Sequence, residues 1–364
     1  MVAGRLSRYF GRRFLGASLT VFVGVFGLVL LVDYIELMRR SAGEANASAL
    51  LAAGISVTRV PQIMERIMPF AVLVGAMLCY LNLSRRLELV VARSAGMSAW
   101  QFVAPAVIAA LLVGAVATAV YNPIAAMLQE QSKRLEDRAF NNAQHSGLQA
   151  TGTGFWVRQK SVDGQSIINA VSSTDQGVRL GGVTVFMYDQ AGRFVERTEA
   201  KIAMLEEGHW RLVDARRYPV DAPPERLQDY RLKTNLTLAQ VRETFATPET
   251  VSFWDLPFFI EMADHAGLAA AGYRLQYQKL ISRPALLAAM VLVAAAFSLR
   301  FFRFGGVQKM VLSGIVAGFL LYVLSKVTED LSKAELMHPA AAAWLPVIIG
   351  VLTGLVPLLY QEDG

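Results

Sequence analysis

Charge is what this chain has least of. Asp, Glu, Lys and Arg make up only 18% of its 364 residues, against 54% hydrophobic residues. A soluble domain of this length needs more charge at its surface, so an integral membrane protein is the leading class. Cysteine is nearly absent too. Cys79 stands alone in an apolar run, which excludes a disulfide within the chain and fits a small buried hydrophobe. The four histidines, His145, His209, His265 and His338, lack metal-ligand spacing and no HExxH occurs, so no metal ligand is assigned. No G-x-S-x-G elbow and no G-x-x-x-x-G-K-[ST] loop is present either. No catalytic residue is therefore assigned, and the chain is not expected to hydrolyse ATP by itself. "RLSRYFGRRF" near the start supplies a basic lead. The apolar run behind it is long enough to span and ends in no small-residue cleavage site, so an uncleaved first span is expected.

What is present is apolar length. Crossing a bilayer takes about 20 mostly apolar residues in a helix. Six segments qualify: 14–34, 67–83, 102–121, 284–302, 307–327 and 340–360, with Pro69 and Pro284 read as marking the starts of the second and fourth. An even number of spans puts both termini on one side. Arg5, Arg8, Arg12 and Arg13 precede the first span, Arg85, Arg86 and Arg93 follow the second, and Arg300, Arg303 and Lys309 follow the fourth. Glu88 is the one acid among them, whereas the opposite side mixes Asp33, Glu36, Arg39, Arg40 and Glu44 with Lys326, Glu329, Asp330, Lys333 and Glu335. The positive-inside rule then expects both termini in the cytoplasm. The net charge of +6 follows from this loop bias, and nucleic-acid binding is not needed to explain it.

Residues 123–278 are too long for a loop and large enough for a domain. They open with helix formers, "NPIAAMLQEQSKRLEDRAFNNAQ", which extend the third span. After Gly147 come short β-branched and aromatic runs such as "GFWVRQ", "GGVTVFMYD" and "HWRLVDARRYPV", divided by "DG" at 163–164, "DQAG" at 189–192 and "EEG" at 206–208. Val183, Val185 and Met187 alternate with Thr184, Phe186 and Tyr188, as in a strand with two unlike faces. The expected fold is a membrane α-helical bundle of six transmembrane helices with an inserted all-β, jellyroll-like domain. Residues 1–122 hold helices one to three, 123–278 the external domain with flanking helical segments, and 279–364 helices four to six.

Between the second and third spans lies "LELVVARSAGMSAW", 87–100. On a helix Leu87, Val90, Val91 and Ser94 share a face, with Glu88 and Arg93 nearer the polar side and Gly96 available as a stop. Periodicity alone leaves open a helix lying on lipid headgroups and a helix docking into a partner's groove. At the outer end of the first span, Arg39 and Arg40 sit where a basic side chain snorkels to headgroup phosphate.

The joint pattern is more telling than its parts. "YFGRRFLGA", "IMPFAVLVGAMLCYLNLSRRLELVV", "SRRLELVVARSAGMS", "YNPIA", "GFWVRQ", "LKTNLT" and "GIVAGFLLYVLSKV" together resemble the lipopolysaccharide export permease family, LptF and LptG, over nearly the whole chain. "VDYIELMRRSAG" and "LKTNLT" lean towards the LptG branch. The resemblance implies a permease subunit of an ABC transporter that extracts lipopolysaccharide from the bacterial inner membrane. It implies a periplasmic β domain, a homologous LptF-like partner, and a dimer of the LptB-like ATPase that carries ATP and Mg. LptC's membrane helix is expected beside the first span, and LptA is expected to continue the periplasmic bridge. The chain itself is expected to bind no cofactor.

The same resemblance assigns candidate residues. A coupling helix at about 84–99 would meet the motor through Arg86, Leu87, Glu88, Leu89, Val91, Arg93 and Gly96. Arg39, Arg40, Lys133 and Arg134 are candidates for the anionic lipid headgroup, where arginine suits bidentate phosphate contacts. A solvated helix face with a Glu130–Arg134 pair explains the last two equally well. Phe22, Phe26, Phe70, Phe319 and Tyr322 could line a cavity for lipid tails, although bundle packing calls for the same residue types. Two rival readings are the sister LptF-type subunit and a non-transporting scaffold whose β domain binds periplasmic partners. A membrane hydrolase lacks a nucleophile constellation.

Overall fold

The computed structural model describes residues 2–41, 48–94, 96–140, 155–161, 164–174, 178–189, 193–220, 222–234, 248–265, 270–302 and 307–362. Its helices are α1 (Val2–Ser41), α2 (Ala49–Arg85), α3 (Glu88–Ser94), α4 (Ala99–Val116), α5 (Asn122–Phe140), α6 (Leu256–His265), α7 (Ala271–Phe302), α8 (Val307–Lys333) and α9 (Pro339–Glu362). A single π-helical turn, Ala117–Tyr121, joins α4 to α5 without breaking the rod. Among the described residues, six stretches are long and apolar enough to cross a membrane: Leu6–Arg40, Ala49–Arg85, Ala99–Lys133, Ala271–Ser298, Val311–Lys333 and Pro339–Tyr360.

The number of spans agrees with the sequence reading, but their ends do not. The second helix starts at Ala49 and runs through both Pro61 and Pro69, and the fourth starts at Ala271 and runs through Pro284. In water a proline at these places would end a helix. Among packed apolar helices it is tolerated, because neighbouring groups re-satisfy the freed backbone. Asp33, Glu36, Arg39 and Arg40 also ride on α1, and Lys326, Glu329, Asp330 and Lys333 on α8, where the sequence suggested loops. A 40-residue helix such as α1 is ~60 Å long, about twice the hydrocarbon thickness, so its charged end extends well past the apolar zone.

The helices belong to one compact unit with residues 248–261, and α7 is its axis. α7 packs against α2, α4, α8 and α9, and Leu287 to Ala296 are all buried. Small residues recur in the core, among them Ala76, Ala106, Ala110 and Ala294. Such residues let helices approach closely where lipid removes any hydrophobic drive between them. Gly114 marks the tightest approach: a Cβ there would lie 2.4 Å from Pro284 Cα. α1 is the least enclosed span, with Leu19, Val23, Leu28 and Leu31 turned outward.

The second unit comprises 144–247 with 262–268. Its strands are β1 (Phe155–Ser161), β2 (Gly164–Thr174), β3 (Arg179–Tyr188), β4 (Phe194–Glu206), β5 (His209–Pro219) and β6 (Glu225–Lys233). They form one antiparallel sheet in sequential order, with a bulge near Met187. The expected alternation in β3 is real: Val183 and Val185 are buried with Ile168, Leu180, Trp210 and Leu212. The "EEG" turn closes the β4–β5 hairpin, with Gly208 at φ +77°, a conformation that suits glycine. Among the described residues the strands are linked as a meander, and no second sheet of the kind a jellyroll pairs with the first is present. Hairpin turns between successive strands account for that order. Asp163 of "DG" and residues 190–192 of "DQAG" lie outside the described residues.

Candidate functional site

The stretch after the second span is built as a tight turn and a short helix. α2 ends at Arg85, and the N–H groups of Arg86 and Leu87 donate back to the carbonyls of Asn82 (3.1 Å) and Ser84 (2.9 Å). Leu87 then adopts φ 60°, a left-handed conformation rare for a leucine, and its carbonyl accepts from Val91 N at 3.0 Å. α3 covers Glu88–Ser94, shorter than the 84–99 expected, because 84 and 85 complete α2 and Gly96 at φ +82° ends the run. Arg86 is exposed, as are Leu87 and Val91, whereas Leu89 is buried in the core that holds Phe10 and Phe102. The side chains of Val90 and Arg93 lie outside the described residues.

Glu88 does not float free. Tyr9 OH donates to Glu88 Oε2 at 3.0 Å, and Arg13 Nε donates to Tyr9 OH at 3.0 Å. α3 is thereby tied to α1 by polar contacts and to the bundle by Leu89, with two apolar side chains displayed outward. The left-handed leucine costs about 1–2 kcal/mol relative to a relaxed backbone. Leu87→Gly is therefore expected to stabilise the detergent-purified protein by about 1 kcal/mol, net of glycine's added chain entropy. A thermal melt that falls would show that Leu87 contributes more by packing than it costs in strain.

At the C-terminal end of α1, Arg39 and Arg40 converge on one carboxylate. Both contact Glu36 at 2.9 Å, and Arg39 is the more exposed at 77%. Lys133 lies on α5, and the side chain of Arg134 lies outside the described residues. The five apolar candidates separate. Phe70 and Tyr322 meet at 5.7 Å, Phe22 sits edge-on to Tyr121 at 6.2 Å, Phe26 is half-buried on α1, and Phe319 is exposed on α8.

Sequence reasoning missed a buried ion pair. Glu65 on α2 is 2% exposed and Arg283 on α7 is 11% exposed; their side chains pair, with Arg283 Nη1 donating to Glu65 Oε1. Asn122 Nδ2 donates to the same oxygen at 2.8 Å, and Asn122 Oδ1 accepts from Phe253 N at 2.8 Å. Arg59 bridges Asp33 and Glu136, which joins α1, α2 and α5. Lys279 and Lys333 flank Glu329 at 2.9 and 2.7 Å. With Pro69 and Pro284 taken as helix starts, Glu65 and Arg283 read as loop charges a residue or more outside the spans. The only signal was that each stands within four residues of such a proline.

Between α2, α7, α8 and α9 lies a cavity of about 220 Å³. Gln62, Glu65, Arg66, Lys279 and Lys326 line it together with Phe70, Leu286, Met290 and Tyr322. Among the described residues, no group of three or more His, Cys, Asp and Glu could hold a metal ion.

Six spans with a β domain inserted between the third and fourth define a class, the polytopic membrane proteins that carry a folded domain on one face. The sequence profile of the lipopolysaccharide export system permease LptF/LptG matches residues 8–360, and the chain belongs to that family. It is similar to the lipopolysaccharide export system permease protein LptG of Escherichia coli K12, with 25% identity over 352 residues and 94% of each chain covered. It is also similar to the LptG permease protein of Haemophilus influenzae, 24% identical over 359 residues, which cover 95% of this chain and 96% of that one. The molecule is thus a multi-pass inner-membrane permease of lipopolysaccharide export.

Proposed function

We propose that the chain is the LptG-type subunit of an ATP-driven transporter. It extracts lipopolysaccharide from the inner membrane and passes it to a periplasmic bridge. The LptG assignment, against LptF, rests on the two LptG relatives and on "VDYIELMRRSAG" and "LKTNLT". Both termini and α3 face the cytoplasm in this reading, by the positive-inside rule, and the β domain faces the periplasm. An LptF-like chain completes the cavity, an LptB-like ATPase dimer binds ATP and Mg beneath it, LptC's helix lies beside α1, and LptA receives the lipid. Arg39 and Arg40 meet the phosphorylated headgroup by exchanging Glu36 for phosphate, while Lys133 and Arg134 guide it onward.

The observation that carries the reading is the construction of α3. Leu87 and Val91 are displayed outward on a turn held to α1 through Glu88, Tyr9 and Arg13. A motor that grips the exposed pair displaces α3, and the Glu88–Tyr9 bond passes the displacement to α1. The chain needs no nucleotide site of its own in this scheme. Glu88→Ala in the co-expressed complex is expected to lower the amount of ATPase co-purified about tenfold, or about 1.4 kcal/mol of docking energy, with membrane insertion unchanged. ATPase recovered at the wild-type ratio, with wild-type export, would reduce Glu88 to a surface charge.

A further inference from the structure

We propose that the cavity between α2, α7, α8 and α9 is a lipid-headgroup site that takes a phosphate carrying a hydrogen-bond donor, in the first instance the phosphoethanolamine head of a membrane phospholipid. The site is distinct from the Arg39–Arg40 rim and goes beyond export as proposed above.

The cavity is polar at one end and apolar at the other. On α2 the lining runs from Gln62, Glu65 and Arg66 to Pro69 and Phe70. On α7 it runs from Gln276, Lys279 and Arg283 to Leu286 and Met290. α8 has the reverse order, with Tyr322 ahead of Ser325, Lys326 and Glu329, as an antiparallel neighbour requires. Stacked together, these stripes give a charged mouth over an apolar floor, the gradient an amphiphile needs. At about 220 Å³ the space equals roughly seven waters, enough for one small headgroup.

The polar end is also unfinished. Among the described residues, Glu65 Oε2 and Gln62 Oε1 have no hydrogen-bond partner, although Glu65 is 2% and Gln62 6% exposed. Buried polar atoms in native folds are almost always paired, so two orphans in one cavity call for a ligand. Both orphans are acceptors, so the ligand must donate, and a primary ammonium offers three N–H donors. A phosphate one ethylene away would reach the cations at the mouth. Arg66 is held only by Glu249 at 3.8 Å, and Lys326 stands 3.8 Å from Glu329 and 3.2 Å from Asp330, so both can turn to a phosphate.

Native mass spectrometry of the delipidated full-length chain in its detergent-purified complex tests this, with dioleoyl-phosphatidylethanolamine against dioleoyl-phosphatidylcholine. The two carry the same phosphate and charge, but only the first has N–H donors. The ethanolamine lipid is expected to bind at least tenfold tighter. Gln62→Leu is expected to erase that preference, and Arg66→Gln with Lys326→Gln to weaken both lipids. Equal affinity for the two lipids, no binding of either, or a preference untouched by these variants would overturn the proposal. Lipid A added as competitor separates the sources. Displacement at a tenfold lower concentration keeps the chemistry and makes the exported glycolipid the occupant; no displacement leaves a resident phospholipid. Binding is read without ATP or export, so its failure and the failure of the transport reading are distinguishable.

Discussion

Arg283→Ala is expected to cost the helical unit about 3–5 kcal/mol, the usual loss when one member of a buried ion pair is removed. Glu65 would keep its Asn122 bond but lose its counter-charge while 2% exposed, and its second carboxylate oxygen already has no partner. Glu65→Ala should fall in the same range for the converse reason. The double replacement by apolar residues of similar length, Glu65→Met with Arg283→Met, should recover most of the loss, because both desolvation penalties vanish together. Thermal unfolding of the detergent-purified variants in a double-mutant cycle measures the coupling. An Arg283→Ala protein as stable as the parent would mean that the pair is solvated and carries no such energy.

Gly114→Val is expected to destabilise by about 3 kcal/mol, at the upper end of overpacking effects. Its Cβ would stand 2.4 Å from Pro284 Cα and 3.0 Å from Pro284 N. The obstacle is backbone, so no side chain can rotate away, and α4 and α7 must separate. Gly16 supplies the control. A Cβ there meets nothing within 4 Å, so Gly16→Ala should stay within about 0.5 kcal/mol. If both variants melt alike, the close approach of α4 to α7 carries no stability.

Much of this architecture was legible in the chain, and the failures share a cause. Six spans and an inserted β domain follow from apolar runs and alternating strands, both of which are local patterns. The alternation of Val183 and Val185 was read correctly, since a strand's period of two needs no knowledge of its neighbours. The ends of α2 and α7 were misjudged at Pro69 and Pro284. Proline's local penalty is a rule for helices in water, and here packing among neighbours overrides it. That one error hid Glu65 and Arg283. The motif around Glu88 could be located but not dissected. A helical wheel puts Leu87 and Val91 on one face and Leu89 on the other, but only packing on the bundle decided that Leu89 turns inward and the other two outward.

By itself, then, the sequence determined that the chain lives in a membrane, how many times it crosses, where a β domain interrupts it, and which family it resembles. The first three depend on composition and periodicity within single stretches of chain, and the resemblance on motifs spread along it. Only the tertiary structure decided which charges meet. Glu65 finds Arg283 from 218 positions away, and Arg59 finds Glu136 from 77. It also decided that four helices leave a cavity with two unanswered acceptors at its polar end. Such pairings are fixed by how helices stack once formed, and a residue's neighbours along the chain carry no record of its partner across the bundle.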